Sequence, residues 1–390
     1  MSYPVFQLVR REDPVSVILK LVGESCNLDC SYCYEKRKPY SGSRILRALS
    51  IKRFLERLPQ GAVALELHGG EPLLYPTEEF EELSIVLQRH LGRIVRLTMQ
   101  TNGVLLDRDR IRFLRGLFPS LQIGISLDGP GEFNDLRVNL QGGASTAAVV
   151  EALKSCAAEG VDVGIICVVH RGSLGSAGPI LRFFAEYPAV KVVKLVPCFD
   201  TQVLQESGPV RRRAVRIAIG DSCGKTLPWG ITPSQYTMFI EEATNFWIAN
   251  IGPRRYVLEP VTSALRSLGG LATNNCHFAG RKCSHVYTLY PDDTFGACDE
   301  LDRRQVEYGP IDSTSPLAAA HALWAEPAEQ GMRELLQMCL NCEFARVCGG
   351  GCLATRRRLL AAGDSTSYCA HRKSLLATLA VLTEGASHAT

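Results

Sequence analysis

The chain has almost no charge excess. In 390 residues, 43 lysines and arginines meet 40 aspartates and glutamates, a formal net charge of +3. No global field therefore draws it toward nucleic acid or an anionic membrane. It has no secretory signal pattern, because Arg10 and Arg11 interrupt the early apolar residues. It has no uncharged run of the roughly 18 residues that a membrane-spanning helix needs. The expectation is a cytoplasmic protein outside the membrane. Only about 14 residues precede the first β-like run, and the expectation is that no fused winged-helix peptide-recognition domain stands ahead of it. The basic runs Arg211-Arg212-Arg213 and Arg356-Arg357-Arg358 are short and read as solvated helix faces.

Cysteine is abundant, at 15 residues. Disulfides do not persist in a reducing compartment, so this number points to metal or iron–sulfur ligation. Three lie in the run Cys26-Asn-Leu-Asp-Cys30-Ser-Tyr-Cys33-Tyr34, directly after the period-2 apolar run Val15 to Val22. The next cysteine is Cys156. A structural zinc site asks for four protein ligands. Three thiolates instead suit three irons of a four-iron cubane, leaving the fourth iron open for chemistry.

Eight more cysteines crowd the other end: Cys276, Cys283, Cys298, Cys339, Cys342, Cys348, Cys352 and Cys369. Eight thiolates divide into two four-ligand sets, and the count alone does not choose between zinc and iron–sulfur groups. Ser284 to Tyr290 and Phe295 to Cys298 flank Pro291-Asp292-Asp293-Thr294, a hairpin signal that brings Cys283 and Cys298 near each other. Cys156 and Cys167 lie in apolar patterns and read as buried hydrophobes, Cys198 sits at a strand end, and Cys223 lies in an insertion.

Between these fields the pattern alternates. β-like segments at about 15–22, 63–68, 94–99, 122–127, 162–169 and 191–196 are separated by helical patterns at about 43–58, 77–90, 107–117, 146–158 and 178–187. The spacing predicts βαβ units and a parallel sheet. Six strands are too few for a closed eight-stranded barrel, so an open partial barrel or a doubly wound sheet remains. Residues 199–230 break the rhythm as an insertion, and 233–250 reads as a helix with Pro233 in its first turn.

The three-cysteine run resembles the signature of the radical S-adenosylmethionine (SAM) enzymes. The resemblance implies a [4Fe–4S] cluster on Cys26, Cys30 and Cys33, SAM on its open iron, and a 5′-deoxyadenosyl radical that abstracts hydrogen. It places Tyr32 near adenine. Gly69-Gly70-Glu71-Pro72 resembles the family's second motif, whose glycine-rich strand end faces the methionyl ammonium. Gln100 and Asn102, in Gln100-Thr101-Asn102-Gly103, end the third strand at the same mouth. Ser126-Leu127-Asp128-Gly129 ends the fourth; resemblance assigns Ser126 to ribose and Asp128 to supporting polar contacts. Val193 to Val196 would flank adenine.

The cysteine-rich end is similar to the SPASM extension of peptide-modifying radical SAM enzymes. That implies two auxiliary [4Fe–4S] clusters, one on Cys276, Cys283, Cys298 and Cys352, the other on Cys339, Cys342, Cys348 and Cys369. The implied fold is α/β: a partial (β/α)6 barrel over 1–232, a helical linker over 233–269, a SPASM domain over 270–372 and a tail over 373–390. Cys298-Asp299 resembles the pair in anaerobic sulfatase-maturing enzymes whose aspartate is the catalytic base. An auxiliary cluster would take the second electron of an oxidation, and flavodoxin or ferredoxin would supply the first.

Asn134-Asp135-Leu136-Arg137 departs from the His-Asp-x-x-Arg pattern of the sulfatase-maturing enzymes. The favoured expectation is therefore oxidative modification, a cross-link above all, of a ribosomally made precursor peptide, with a separate recognition protein as a partner. The alternatives are formylglycine formation from a sulfatase cysteine or serine, and peptide epimerisation. A noncatalytic metal-binding scaffold gives no use for an open three-cysteine site.

Overall fold

The structure is a computed structural model that describes residues 5–35, 44–59, 61–199, 227–301, 303–325, 336–364 and 366–387. Most of the expected insertion, with Arg211-Arg212-Arg213 and Cys223, lies outside the described residues.

Six parallel strands form where the alternation predicts them: β1 Val15–Lys20, β2 Val63–His68, β3 Ile94–Thr101, β4 Leu121–Ser126, β5 Val163–Val169 and β6 Val190–Pro197. Helices α1 Ala48–Arg57, α2 Thr77–Gln88, α3 Arg108–Leu117, α4 Thr146–Ala158 and α5 Ala177–Ala185 connect them. In β1, β2 and β5 every second side chain is buried. Val17, Leu19, Leu65, Leu67, Ile165 and Cys167 lie on that apolar side, in one core with Phe54, Phe80, Ile111, Leu153 and Phe184 of the helices. The intervening positions carry Lys20, Glu66, His68, Gln100, Ser126 and Lys194, so the other face of the sheet is polar.

The sheet is open and larger than six strands, in the order β10-β9-β8-β1-β2-β3-β4-β5-β6-β7. β7, Val257–Glu259, pairs in parallel with β6. At three residues it is too short to show a period, and the exposed β6 edge recruits it. At the other end, β8 Val286–Leu289 and β9 Thr294–Gly296 form the expected hairpin, with β10 Glu307–Pro310 antiparallel to β9. β8 runs parallel to β1, pairing Ser16 with Val286 and Leu19 with Leu289. The hairpin also shares the barrel's core: the Phe54 ring packs edge-on against Tyr287 and Phe295, with centroids 5.8 and 5.1 Å apart.

Helix α6, Pro233–Asn250, opens on a capping box in which Thr232 and Gln235 satisfy each other's backbone amides. The longer helices beyond it are α7 Val261–Leu268, α8 Pro316–Ala325, α9 Leu353–Ala361 and α10 Ser367–Ser387. α10 packs on α6 and α7 and closes the cysteine-rich end over the barrel. None of the described helices is long and apolar enough to cross a membrane.

Candidate active site

The ends of β1 to β5 meet at one mouth. After Lys20 the chain turns at Gly23 into the three-cysteine loop, where Cys30 is buried and Cys26 and Cys33 are half-buried. The Cys26 sulfur accepts from the Leu28 amide at 3.4 Å and from the Asn102 side-chain amide at 3.7 Å. Burial pushes the Cys26 thiol up to about 12; the Leu28 amide opposes this, while Glu71, Cys33 and Cys30 add to it. A thiolate in that position calls for a bound cation.

At the end of β2, Gly69 and Gly70 have φ of 92° and 43°. A Cβ on Gly70 would stand 1.8 Å from the Ser25 carbonyl oxygen. The backbone of the second motif therefore presses directly on the cysteine loop, and the Glu71 amide donates to that same Ser25 oxygen at 2.8 Å. Glu71 is fully buried. Its carboxylate accepts from Thr101 Oγ1 at 2.6 Å, the Asn102 amide at 2.8 Å and the Leu73 amide at 3.0 Å. Glu71 thus ties the β2 and β3 ends together, while Pro72 opens the short turn beyond. Asn102 Nδ2 donates to Asn27 at 2.7 Å, and Gln100 Nε2 donates to Ser126 Oγ at 2.9 Å.

Asp128 is likewise buried. Its carboxylate accepts from the Tyr32 hydroxyl and, at 2.9 Å, from the Val168 amide of β5. Arg137 donates to the same Tyr32 hydroxyl at 2.7 Å and lies 3.9 Å from Asp128. Asn134 accepts from the Asp128 amide at 3.1 Å. The segment that departs from the sulfatase-maturing pattern therefore delivers a buried arginine to this mouth, a residue the sequence reading left out of the site. Beside it, Tyr32, Leu136 and Val168 pack on an apolar patch of Cys198, Leu227 and Trp229, and Val196 is the register partner of Val168.

The β1–β8 pairing produces the feature that sequence reading missed most completely. Lys20 Nζ lies 2.6 Å from Asp299 and 2.5 Å from Glu35, and 3.2 Å from His68 Nδ1. The Tyr34 hydroxyl donates to Asp299 at 3.2 Å. Lys20, Glu35 and Asp299 are all buried. Burial disfavours the ammonium, but the charges of Asp299 and Glu35 outweigh it and hold the Lys20 pKa above its ordinary value. Glu35, His68 and Asp299 have ligand atoms within 4.8 Å of one another, as a metal would require. The cation among them is the Lys20 ammonium itself. No local signal exposes this cluster, because 279 residues separate Lys20 from Asp299.

The eight later cysteines fall into two neighbourhoods. Cys283 lies within electrostatic reach of Cys352 and Cys276, and Cys298 of Cys283 and Cys352. Cys339 neighbours Cys369, Cys348 and Cys342. Cys348 and Cys352, with three residues between them, go to different sets. The turn between them, Gly349-Gly350-Gly351, has φ of 60°, 77° and 70°, and a Cβ on Gly349 would meet the Phe278 backbone at 2.4 Å. Arg356 is buried, contrary to the expected solvated face, and donates to the Cys369 sulfur at 3.0 Å. Burial pushes Cys276, Cys283 and Cys298 up, whereas Arg372 overcomes burial and brings Cys348 below its ordinary value.

Among the described residues no three cysteine sulfurs lie mutually within 4.8 Å. A tetrahedral zinc, with sulfurs at about 2.3 Å, would hold them roughly 3.8 Å apart.

Residues 21–175 match the Radical SAM superfamily model. The chain is 25% identical over 365 residues to the serine-type anaerobic sulfatase-maturating enzyme of Bacteroides thetaiotaomicron, covering 90% of this chain and 85% of that one. It is 23% identical over 356 residues to the cysteine-type enzyme of Clostridium perfringens, covering 88% and 90%. The solved structure of native anSMEcpe with bound AdoMet and Cp18Cys peptide superposes with a TM-score of 0.76 at 22% identity, over 97% of this chain and all of that one.

These relatives overturn the expected cross-linking of a precursor peptide, because the similarity runs end to end with sulfatase-maturating enzymes of both types. The departure at Asn134 that favoured cross-linking carries no such weight: Asn134 holds the Asp128 amide and Arg137 still reaches the mouth. Residues 21–175 thus carry a radical SAM core in a partial open barrel, followed by a cysteine-rich extension of SPASM-like form, and the chain is similar over nine-tenths of its length to the anaerobic sulfatase-maturating enzymes.

Proposed function

We propose that this chain converts a cysteine or serine side chain of a sulfatase polypeptide to formylglycine. The observation that carries this reading is the similarity to both serine-type and cysteine-type sulfatase-maturating enzymes across nine-tenths of the chain, through both cysteine fields. In this proposal Cys26, Cys30 and Cys33 hold the SAM-binding cluster. Gly69, Gly70, Gln100, Asn102, Ser126, Tyr32 and Val196 line the SAM site, and Glu71, Pro72 and Asp128 shape it. Cys276, Cys283, Cys298 and Cys352 hold one auxiliary cluster, and Cys339, Cys342, Cys348 and Cys369 the other. Bound SAM and the clusters would supply hydrogen abstraction and an acceptor for the second electron, with an external donor of the flavodoxin or ferredoxin kind.

The chain's own part is positional and protonic. Asp299 takes the proton of the substrate thiol or hydroxyl. It is presented by the hairpin's pairing with β1 and held by Lys20 and Tyr34. Lys20 keeps a counter-charge 2.6 Å from this carboxylate, which favours its charged form.

The test is incubation of the iron- and sulfide-reconstituted protein with SAM, a reductant and paired peptides carrying a sulfatase motif with cysteine or serine. Mass spectrometry with hydrazide trapping of the aldehyde should show formylglycine in at least one. Cleavage of SAM with unchanged peptides in both would reject the proposal.

A further inference from the structure

The two later cysteine sets have different surroundings. Arg356 Nη1 lies 3.0 Å from the Cys369 sulfur and Nη2 3.9 Å from the Cys339 sulfur. Arg372 Nε lies 3.4 Å from the Cys348 sulfur. Both arginines are buried, at 4% and 3% exposure. Their remaining donors go to backbone oxygens: Arg356 Nε to Gly350, and Arg372 Nη2 to Cys348 at 2.8 Å and His277 at 3.2 Å. Among the described residues neither guanidinium is in an ion pair with a carboxylate. Their positive charge therefore faces the sulfurs uncompensated.

The other set has no such donors. Among the described residues, no side-chain hydrogen bond reaches the sulfur of Cys276, Cys283, Cys298 or Cys352. Lys282, next to Cys283, turns its ammonium to the carbonyls of Gly349 and Gly351. Lys282 and Lys194 act on Cys276 only at longer range, and Asp299 and Glu300, which follow Cys298, are paired with Lys20 and Arg358, so the two sets differ in the guanidinium donors that reach sulfur.

We propose that Arg356 and Arg372 raise the reduction potential of the centre on Cys339, Cys342, Cys348 and Cys369 above that of the centre on Cys276, Cys283, Cys298 and Cys352. This rests on reading both sets as iron–sulfur ligands. Adding an electron makes a cluster more negative, so a buried cation and donors aimed at its sulfurs stabilise the reduced form. Burial leaves that charge poorly screened. An electron shared between the two centres then rests on the arginine-flanked one, which becomes reduced as the Asp299-flanked one is oxidised.

The experiment is an EPR-monitored redox titration of the full reconstituted chain carrying C26A/C30A/C33A, so that only the two later centres titrate. Two midpoints are expected. R356Q and R372Q should each move the higher midpoint downward and leave the lower one in place, with iron and sulfide unchanged. A higher midpoint that stays put in both variants, or movement of the lower one instead, overturns the proposal. If a glutamine variant loses iron, R356M and R372M, which also remove the charge, are titrated; a downward shift of the higher midpoint there supports the proposal, and a parental midpoint with full iron overturns it. Absence of iron and sulfide from the C26A/C30A/C33A protein itself would instead reject the cluster reading, and the proposal with it.

Discussion

The two ends of this molecule are built on opposite plans. At the barrel mouth three thiols are surrounded by a protein scaffold that is already closed on itself. Glu71 satisfies donors from two strand ends, and Asp128 binds Tyr32 and β5. At the cysteine-rich end eight thiols sit among short turns and helices, and the side chains around them, Arg356 and Arg372, point at the sulfurs themselves. The mouth is shaped by hydrogen bonds that exist without a cofactor. With the metal groups proposed for it, the far end should depend on them more heavily for its order. Lys20 and Asp299 join the two plans, because β8 adds to β1 and sets the residue after Cys298 against the last residue of β1.

The largest effect should come from breaking the mouth alone. Cys26→Ala is expected to reduce release of 5′-deoxyadenosine to background and to lower iron content by one centre, while the far-ultraviolet circular dichroism stays as in the parent. A collapse of the fold would show that the mouth also depends on its metal.

Asp299→Asn tests the junction. It should lower formylglycine yield by about 10²- to 10⁴-fold while SAM cleavage persists, measured as product against 5′-deoxyadenosine. Equal yields would remove the proton-acceptor role.

Lys20→Met leaves Glu35 and Asp299 buried without their cation. Breaking a buried pair in this way should cost about 3–5 kcal/mol, read by chemical denaturation. Combining it with Asp299→Asn should recover part of that loss; simple additivity would mean that the two residues do not act on each other.

The smallest effect belongs to Tyr32→Phe. Removing the hydroxyl between Asp128 and Arg137 leaves two buried polar partners less satisfied, a cost of about 1–3 kcal/mol. SAM affinity, measured by equilibrium binding, separates this loss of stability from a contribution to the cofactor site.

Much of the mouth was legible because its signals are local. Cys26, Cys30 and Cys33 lie within eight residues, and Gly69-Gly70 offers the positive φ that the tight turn takes. The alternation of Val17, Leu19, Leu65 and Leu67 with polar positions placed the strands and their helix-covered side. Other residues misled for an equally physical reason. Arg356 sits in a basic run that looks solvated, and only the fold around the glycine turn buries it. Arg137 looked like part of a mismatch until its side chain was seen on Tyr32. β7 is too short to announce itself without the edge it covers.

The sequence by itself determined which groups can do chemistry: a three-thiol loop, eight further thiols, and an acidic residue after Cys298. These follow from residue type and short spacing, which survive without a fold. Only the tertiary structure decided which distant groups share a charge. Long-range strand pairing carried Asp299 across 279 residues to Lys20, and a left-handed glycine turn sent Cys348 and Cys352 to separate sets. Electrostatic interaction depends on distance and burial in space, and neither is written in the spacing of a linear chain.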